Sequence, residues 1–190
     1  MPDWVASERA KYNRIWSEKG GAYGASSPEE IFLMSRIPPA ELDDLSRWLI
    51  VGGGSGKGFR RLQAMGINPC VVDISDAVAC RYPAGAFTCT PAHSMPYEDD
   101  SFDNVLCIDV IEHVPPDFVV PSLMEMKRVC SGMMWVQARC APSVFEPDLH
   151  LTVRNHTRWC QTFESIGECV WTYRDNLDEG AGIRCREGIQ

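Results

Sequence analysis

The sequence predicts an α/β domain built on a mostly parallel sheet, with helices on both faces and an antiparallel hairpin near its C-terminal end. Three observations carry that expectation. Short apolar runs alternate with helical segments from residue 48 onward, the order that parallel strands joined by helical crossovers require. A cluster of glycines follows the first of those runs directly, where a strand turns into a helix. The last two apolar runs, ECVWTYRD and AGIRCRE, are joined by NLDEGAG with no helix between them, and strands joined without a crossover pair antiparallel.

Residues 1–46 stand apart from the alternation and read as a helical lid segment ahead of a core over 47–190. WVASERAKYNRIW places apolar or aromatic side chains at 4, 5, 12, 15 and 16, close to an amphipathic repeat. GGAYGASS (20–27) breaks that helix. Ser27-Pro28-Glu29-Glu30 starts another through IFLMSRI, and Pro38-Pro39 ends it. WLIVGG is then a strand, KGFRRLQAMG a helix closed by Gly66, and PCVVDIS a strand. SDAVACRY is a short helix and GAFTCT a strand. After the turn-rich PYEDDS comes the strand FDNVLCID. Residues 117–130 form a helix that Pro121 disturbs, unless it sits in the first turn. GMMWVQAR is a strand and HTRWCQTFESIG a helix ended by Gly167. No internal repeat or low-complexity tract interrupts this order.

Composition narrows the function. At 190 residues, with 45% hydrophobic and 23% charged side chains, the chain suits a single domain with a sizeable core. Lys and Arg number 18 against 26 Asp and Glu, a net charge of −8. Polyanions are held by clustered basic residues, and the only short clusters are Arg60-Arg61 and Lys127-Arg128, so a nucleic-acid partner is not expected. The N-terminus carries early charge and no apolar run, unlike a signal peptide, and no stretch suggests a membrane span. The nine cysteines are scattered with no CxxC pair, which leaves neither a zinc ribbon nor a thioredoxin-like motif. Most sit in apolar runs, as Cys70 and Cys107 do, where free Cys packs as a small hydrophobe. A reducing cytoplasm is the simplest setting.

The chemistry begins at LIVGGGSGKGF, with Gly at 52, 53, 54, 56 and 58. Glycine permits positive φ and close backbone approach by a ligand, and the helix beyond offers free N–H groups. A phosphate-binding G-x4-G-K-[ST] loop fails, because its first Gly falls on Val51 and its last position on Gly58. The dinucleotide spacing GxGxxG fails at Lys57 or at Phe59, depending on where it starts. GxGxG is met by Gly52, Gly54 and Gly56. Asp73, at the tip of PCVVDIS, lies 19 residues beyond Gly54. A carboxylate there can accept both hydroxyls of a ribose; the alternative is a helix N-cap, a role open also to Ser75 and Asp76.

LIVGGGSGKG, VVDIS and AHSMPYEDDSFDNVLCIDVIEHV together resemble the class I S-adenosylmethionine (SAM)-dependent methyltransferases. The likeness is strongest to the small-molecule enzymes of the ubiquinone and menaquinone methylating type, over about residues 46–140. That resemblance implies a Rossmann-like seven-stranded sheet with a late antiparallel hairpin, and SAM as cofactor. It implies that Gly52, Gly53, Gly54 and Gly56 border the methionine part, Asp73 holds the ribose and Ile74 packs on adenine. Ala92 and His93 would lie at the adenine edge, with Ile108 behind the cofactor. Two positions depart from the pattern. The usual acid two residues before the first motif glycine is Ile50, so Asp109 or a group from the N-terminal segment would have to hold the cofactor's amino group. The usual Asp before the AHSMPY stretch is Pro91, leaving adenine to backbone groups and His93.

Methyl transfer from a sulfonium needs mainly proximity and orientation, with a general base where the acceptor is protic. His113 in DVIEHV and His150 in EPDLHLT are the candidate bases; His113 can equally be a structural histidine that orients its loop. No metal site is expected, Glu112 having at most a minor Mg-binding role beside a capping one. His156 reads as an ordinary residue at a helix start. Trp159, Phe163 and Trp171 read as core, and Tyr12, Trp16 and Tyr23 as an aromatic lid or as packing on the sheet. The function expected is methyl transfer to a small molecule, neutral or cationic rather than polyanionic, through a pocket that a bulky acceptor or a homodimer would close. The alternatives are a SAM-binding regulatory or degenerate partner protein and another SAM-consuming reaction on the same fold.

Overall fold

The computed structural model describes residues 4–23, 32, 35–37, 42, 45–174 and 176–185. Its centre is a sheet of strands β1 (Trp48–Val51), β2 (Cys70–Asp73), β3 (Phe87–Cys89), β4 (Phe102–Ile108), β5 (Cys130–Arg139), β6 (Glu168–Arg174) and β7 (Asp178–Arg184). The seven strands run in the order β3-β2-β1-β4-β5-β7-β6. The first five pair in parallel. β7 enters antiparallel between β5 and β6, as the helix-free link after ECVWTYRD predicts.

Side-chain alternation splits the core in two. Trp48 and Ile50 of β1 and Leu106 and Ile108 of β4 point to one face, where they meet Phe59 and Leu62 of helix α2 (Lys57–Gln63) and Val78 of the 3-10 turn Asp76–Arg81. Leu49, Val51, Val105 and Cys107 point to the other, against Leu123 and Met126 of α3 (Pro116–Val129) and Trp159 and Phe163 of α4 (His156–Glu164). All four side chains of β1 are buried, so WLIV reads as a continuous apolar run, the pattern of a strand covered on both faces. Pro121 falls in the second turn of α3, where a proline withholds a single backbone bond.

The N-terminal segment differs from its expected form. Helix α1 spans Trp4–Tyr23 and runs through Gly20 and Gly21, where the glycines were expected to break it. The proposed helix start at Ser27-Pro28, the Pro38-Pro39 stop and the side chains of Tyr23 and Trp171 lie outside the described residues. Phe32 and Ile37 are nevertheless buried in the α2-side core. α1 lies across the C-terminal ends of the strands. Arg9 Nε donates to the Ile74 carbonyl at 3.1 Å, and the Asn13 side-chain oxygen accepts from Ser75 Oγ at 2.7 Å and from Ala77 N at 3.3 Å.

The last strand begins at Asp178 rather than at Ala181, because DEG pairs with Gln137, Ala138 and Arg139 of β5. Gly182 serves close approach here: a Cβ would stand 2.8 Å from the Trp135 ring. All nine cysteines are free thiols. Among the described residues no helix is long and apolar enough to cross a membrane.

Candidate functional site

A cavity of about 440 Å³ opens at the C-terminal ends of β1, β2 and β4. It lies where the strand order reverses at β1, the place where open α/β sheets bind ligands. Its floor is the turn after β1, its roof one face of α1, and its far wall the segment after β4 with the loop 140–150.

The glycine turn is held by Asp73. Gly54 N donates to Asp73 Oδ2 at 3.0 Å and Ser75 N to Oδ1 at 2.8 Å. Burial pushes this carboxyl above its ordinary value, opposed by those two backbone bonds and by the Arg81 charge. Each oxygen keeps a further lone pair, and Asp73 lines the cavity. Gly52 and Gly54, at φ 77° and 46°, occupy left-handed backbone beneath it. A Cβ on Gly52 would meet Val110 Cγ2 at 2.2 Å, and one on Gly54 would meet Trp16 at 3.0 Å.

Of the expected cofactor-site residues, Gly52, Gly54, Asp73, Ile74, Ala92 and Ile108 line this cavity. Gly53, Gly56 and His93 do not. Gly53 faces the core, where a Cβ would meet Val71 at 2.3 Å and the Tyr82 hydroxyl at 2.5 Å. Gly56 caps α2 in left-handed backbone beside Arg60 and Arg81. Both shape the turn rather than border the cavity. His93 packs against the rings of Trp4 and Phe118, with centroids at 5.3 and 4.8 Å, and burial lowers its pKa. Ile50 is buried in the α2-side core and does not reach the cavity, whereas Asp109 does.

At the other end, His113 and His150 both line the cavity, their rings edge to face at 4.7 Å. His113 Nδ1 donates to the Leu149 carbonyl at 2.9 Å, with the Tyr12 hydroxyl 2.7 Å from the same nitrogen. His150 Nδ1 donates to the Ala141 carbonyl at 2.5 Å. A carbonyl only accepts, so each Nδ1 carries a proton and Nε2 is the nitrogen left for other partners. Burial and the neighbouring His150 bring the His113 pKa down to about 4, which leaves it neutral at physiological pH. Glu112 is fully buried and its pKa lies well above the ordinary value, through burial and the Asp109 carboxylate. Asp109 itself takes left-handed backbone, φ 60°, a conformation that costs a non-glycine residue about 1 kcal/mol or more and is concentrated at functional sites.

His156 does open α4, behind an Asn155 cap, but it also bridges Cys140 at 3.4 Å and Glu179 at 3.0 Å. Both contacts fall on Nδ1, and burial raises the Cys140 pKa to about 11, so this cluster is no activated nucleophile.

The sequence reading missed Trp4, Glu8, Arg139, Val144 and Phe145 as cavity residues. A signal existed for part of it. Trp4, Glu8, Tyr12 and Trp16 recur every fourth residue, which on a helix is one stripe, and all four face the cavity.

Residues 49–132 match the family model described as a methyltransferase domain. No curated protein matches the sequence. Among solved structures, the fold is similar to that of Burkholderia thailandensis 1,6-didemethyltoxoflavin-N1-methyltransferase, which holds 1,6-didemethyltoxoflavin and S-adenosylhomocysteine. That likeness has a TM-score of 0.71 at 15% identity and covers 96% of this chain and 88% of the other. Magnesium protoporphyrin IX methyltransferase of Synechocystis PCC 6803, with bound S-adenosylhomocysteine, gives 0.63 at 13% identity over 95% of each chain. Residues 49–132 thus resemble a methyltransferase domain, set in a fold shared with both enzymes. The same architecture also underlies a [4+2]-cyclase, at TM-score 0.55 and 20% identity over 67% of this chain and 53% of that one, so the fold by itself does not fix the reaction.

The methyltransferase domain suits its cofactor on local grounds. Gly52 and Gly54 keep the floor free of side chains. Asp73 presents spare acceptor pairs at the tip of β2, and Ile74, Ala92 and Ile108 supply apolar surface for a planar base.

Proposed function

We propose that the protein transfers the methyl group of SAM to a small-molecule acceptor, with Asp73 on the ribose and His113 and His150 at the acceptor. One observation carries this: a single cavity joins the Gly52–Gly54 turn and Asp73 at one end to two imidazoles at the other. SAM supplies an activated methyl group, so the chain's own task is to align the acceptor with it and exclude water. Gly52 and Gly54 admit the methionine portion to the backbone; Ile74, Ala92 and Ile108 enclose the base. The Nε2 lone pairs of His113 and His150 receive a hydrogen bond, and then the proton, from a protic acceptor. The Asp109 carboxylate on the cavity wall disfavours an anion, which supports a neutral or cationic acceptor. The sequence likeness to the ubiquinone and menaquinone methylating group supports a metabolite of modest size.

α1 acts as the lid of this pocket, its Trp4–Trp16 stripe forming the roof. Val144 and Phe145, 85% and 53% exposed at the rim, are where a bulky acceptor or a second subunit of a homodimer closes it. The free thiols fit a cytoplasmic setting.

The test is calorimetry with SAM, followed by chromatographic detection of S-adenosylhomocysteine with a panel of phenols, amines and heterocycles. Absence of SAM binding at millimolar concentration would overturn the reading. Binding without turnover on any acceptor favours the non-transferring alternatives, for which the shared fold of the [4+2]-cyclase is the precedent.

A further inference from the structure

We infer that Glu112, His113 and His150 form a binding site for a divalent first-row transition-metal ion at the acceptor end of the cavity. Each of the three offers a ligand atom, and those atoms lie within 4.8 Å of one another. An ion bonded to N and O ligands at about 2.1 Å draws them to roughly 3.4 Å apart, a contraction within reach of small side-chain rotations.

The surroundings of the two rings are those of metal ligands. A ligating histidine donates its other ring N–H to a carbonyl or carboxylate, which fixes the tautomer and aims the free nitrogen. His113 and His150 each do so, to the carbonyls of Leu149 and Ala141. Nε2 of each ring is thus the nitrogen left for an ion.

The carboxylate side is unsatisfied. Glu112 Oε1 accepts from Arg139 N at 3.0 Å, but Oε2 is buried and has no hydrogen-bond partner. Asp109 Oδ1, which lies in the same cavity wall, has none either. Buried carboxylate oxygens without donors are costly, and either a shared proton or a cation must sit between these two. The raised Glu112 pKa is that of a shared proton, and a divalent cation would displace this proton and take up the histidine nitrogens as well.

The ligands are also held in place. Glu112 and His113 lie on one 3-10 turn after β4. The loop bearing His150 is tied to that turn by Thr152 N donating to the Glu112 carbonyl at 2.9 Å and Thr152 Oγ1 to the Val114 carbonyl at 2.7 Å.

Two imidazoles and a carboxylate favour Zn²⁺, Mn²⁺ or Fe²⁺ over Ca²⁺, which takes oxygen alone. His113 and His150 line the cavity while Glu112 stands buried behind them, so the ion's remaining positions open toward the cavity. Resting on the methyl-transfer reading, an acceptor hydroxyl bound there loses its proton to solvent more readily, and the histidines then serve as ligands rather than bases. Ion binding itself does not depend on that reading.

The test uses the full chain after chelator treatment, titrated calorimetrically with ZnCl₂ and MnCl₂ and spectroscopically with CoCl₂. One equivalent of Zn²⁺ binds, and Co²⁺ gives visible ligand-field bands without the near-ultraviolet thiolate band that the cysteines would produce. His150→Ala, in a surface loop, and Glu112→Gln each weaken Zn²⁺ at least tenfold. His156→Ala, which removes the ring between Cys140 and Glu179, leaves affinity unchanged. Absence of stoichiometric binding, a thiolate spectrum, or equal affinity in His150→Ala overturns the inference. SAM calorimetry on the same metal-free sample reports separately on the methyl-transfer reading, so the two can fail independently.

Discussion

Asp73→Asn separates two roles that this carboxylate performs in one place. In the protein, Oδ2 accepts from Gly54 N and Oδ1 from Ser75 N, at 3.0 and 2.8 Å. Asparagine keeps one acceptor oxygen and turns an NH₂ toward the other N–H, so one buried donor loses its partner, at a cost of about 1–3 kcal/mol. That loss appears as a lower midpoint in urea and concerns the glycine turn alone. The ribose role draws on the remaining lone pairs. A charge-assisted bond to a hydroxyl contributes about 1.5–3 kcal/mol, so its loss weakens S-adenosylhomocysteine roughly 10- to 150-fold. The 2′,3′-dideoxy analogue has no hydroxyls to lose, and the turn defect weakens it only a few-fold. Calorimetry on both ligands with both proteins therefore isolates the ribose contact as the interaction between two changes. An equal loss for the two ligands would refute the ribose assignment and leave Asp73 as a brace for Gly54.

Two further outcomes follow from the packing. Gly53→Ala places a Cβ 2.3 Å from Val71 and 2.5 Å from the Tyr82 hydroxyl; overpacking of this kind costs about 1–3 kcal/mol or more, which lowers the melting temperature by roughly 2–12 °C. Gly85→Ala meets no atom within 4 Å but sits at φ +84°, so its smaller loss, about 1 kcal/mol, comes from backbone strain alone; calorimetric melting distinguishes the two. Glu125 accepts from Arg128 Nε at 2.7 Å and Nη2 at 2.8 Å and from Met95 N at 2.8 Å, and the guanidinium holds its carboxyl below the ordinary value. With the folded pKa depressed, the unfolded chain binds the proton first as pH falls, so this stabilisation is complete above the ordinary glutamate pKa and is lost as pH drops through the folded value. Glu125→Gln accordingly costs about 1–2 kcal/mol at pH 7, and urea titrations show the gap to the parent closing in acid; a gap independent of pH would remove the charge from the explanation.

The sheet was legible because its strands are short, apolar and separated by strong punctuation. WLIV is buried on both faces and followed by glycines, and nothing but a central strand turning into a helix accounts for that. The boundary that slipped was at NLDEGAG, whose glycines read as a turn. Gly180 and Gly182 are strand residues here because Phe32 and Trp135 crowd that face, a pressure from distant sequence that no local pattern records. The α1 helix ran through Gly20-Gly21 although helix propensity puts glycine about 1 kcal/mol below alanine. Its anchors to Ile74, Ser75 and Ala77 lie far off in the chain.

The site divides along the same line. That Gly52, Gly54 and Asp73 gather at one cavity could be read from residue types and spacing, since close backbone approach favours glycine and the turn's free N–H needs an acceptor at the tip of β2. Spacing could not tell which glycines face outward: Gly53 points into the core and Gly56 into the cap, and only the twist of the turn decides. The acceptor end shows the converse. His113 and His150 were visible as reactive residue types, but they are separated by all of α3 and β5, and their meaning depends on the carbonyls that orient them. Those carbonyls belong to Leu149 and Ala141, backbone groups that any residue would supply and that no sequence pattern marks. Ile50 shows the same dependence on packing. With the α2-side core taking that side chain, the acids that line the cavity besides Asp73 are Asp109 and Glu8 of α1. The helix that roofs the pocket and the segment after β4 thus supply acidic groups to the cavity that the first strand does not.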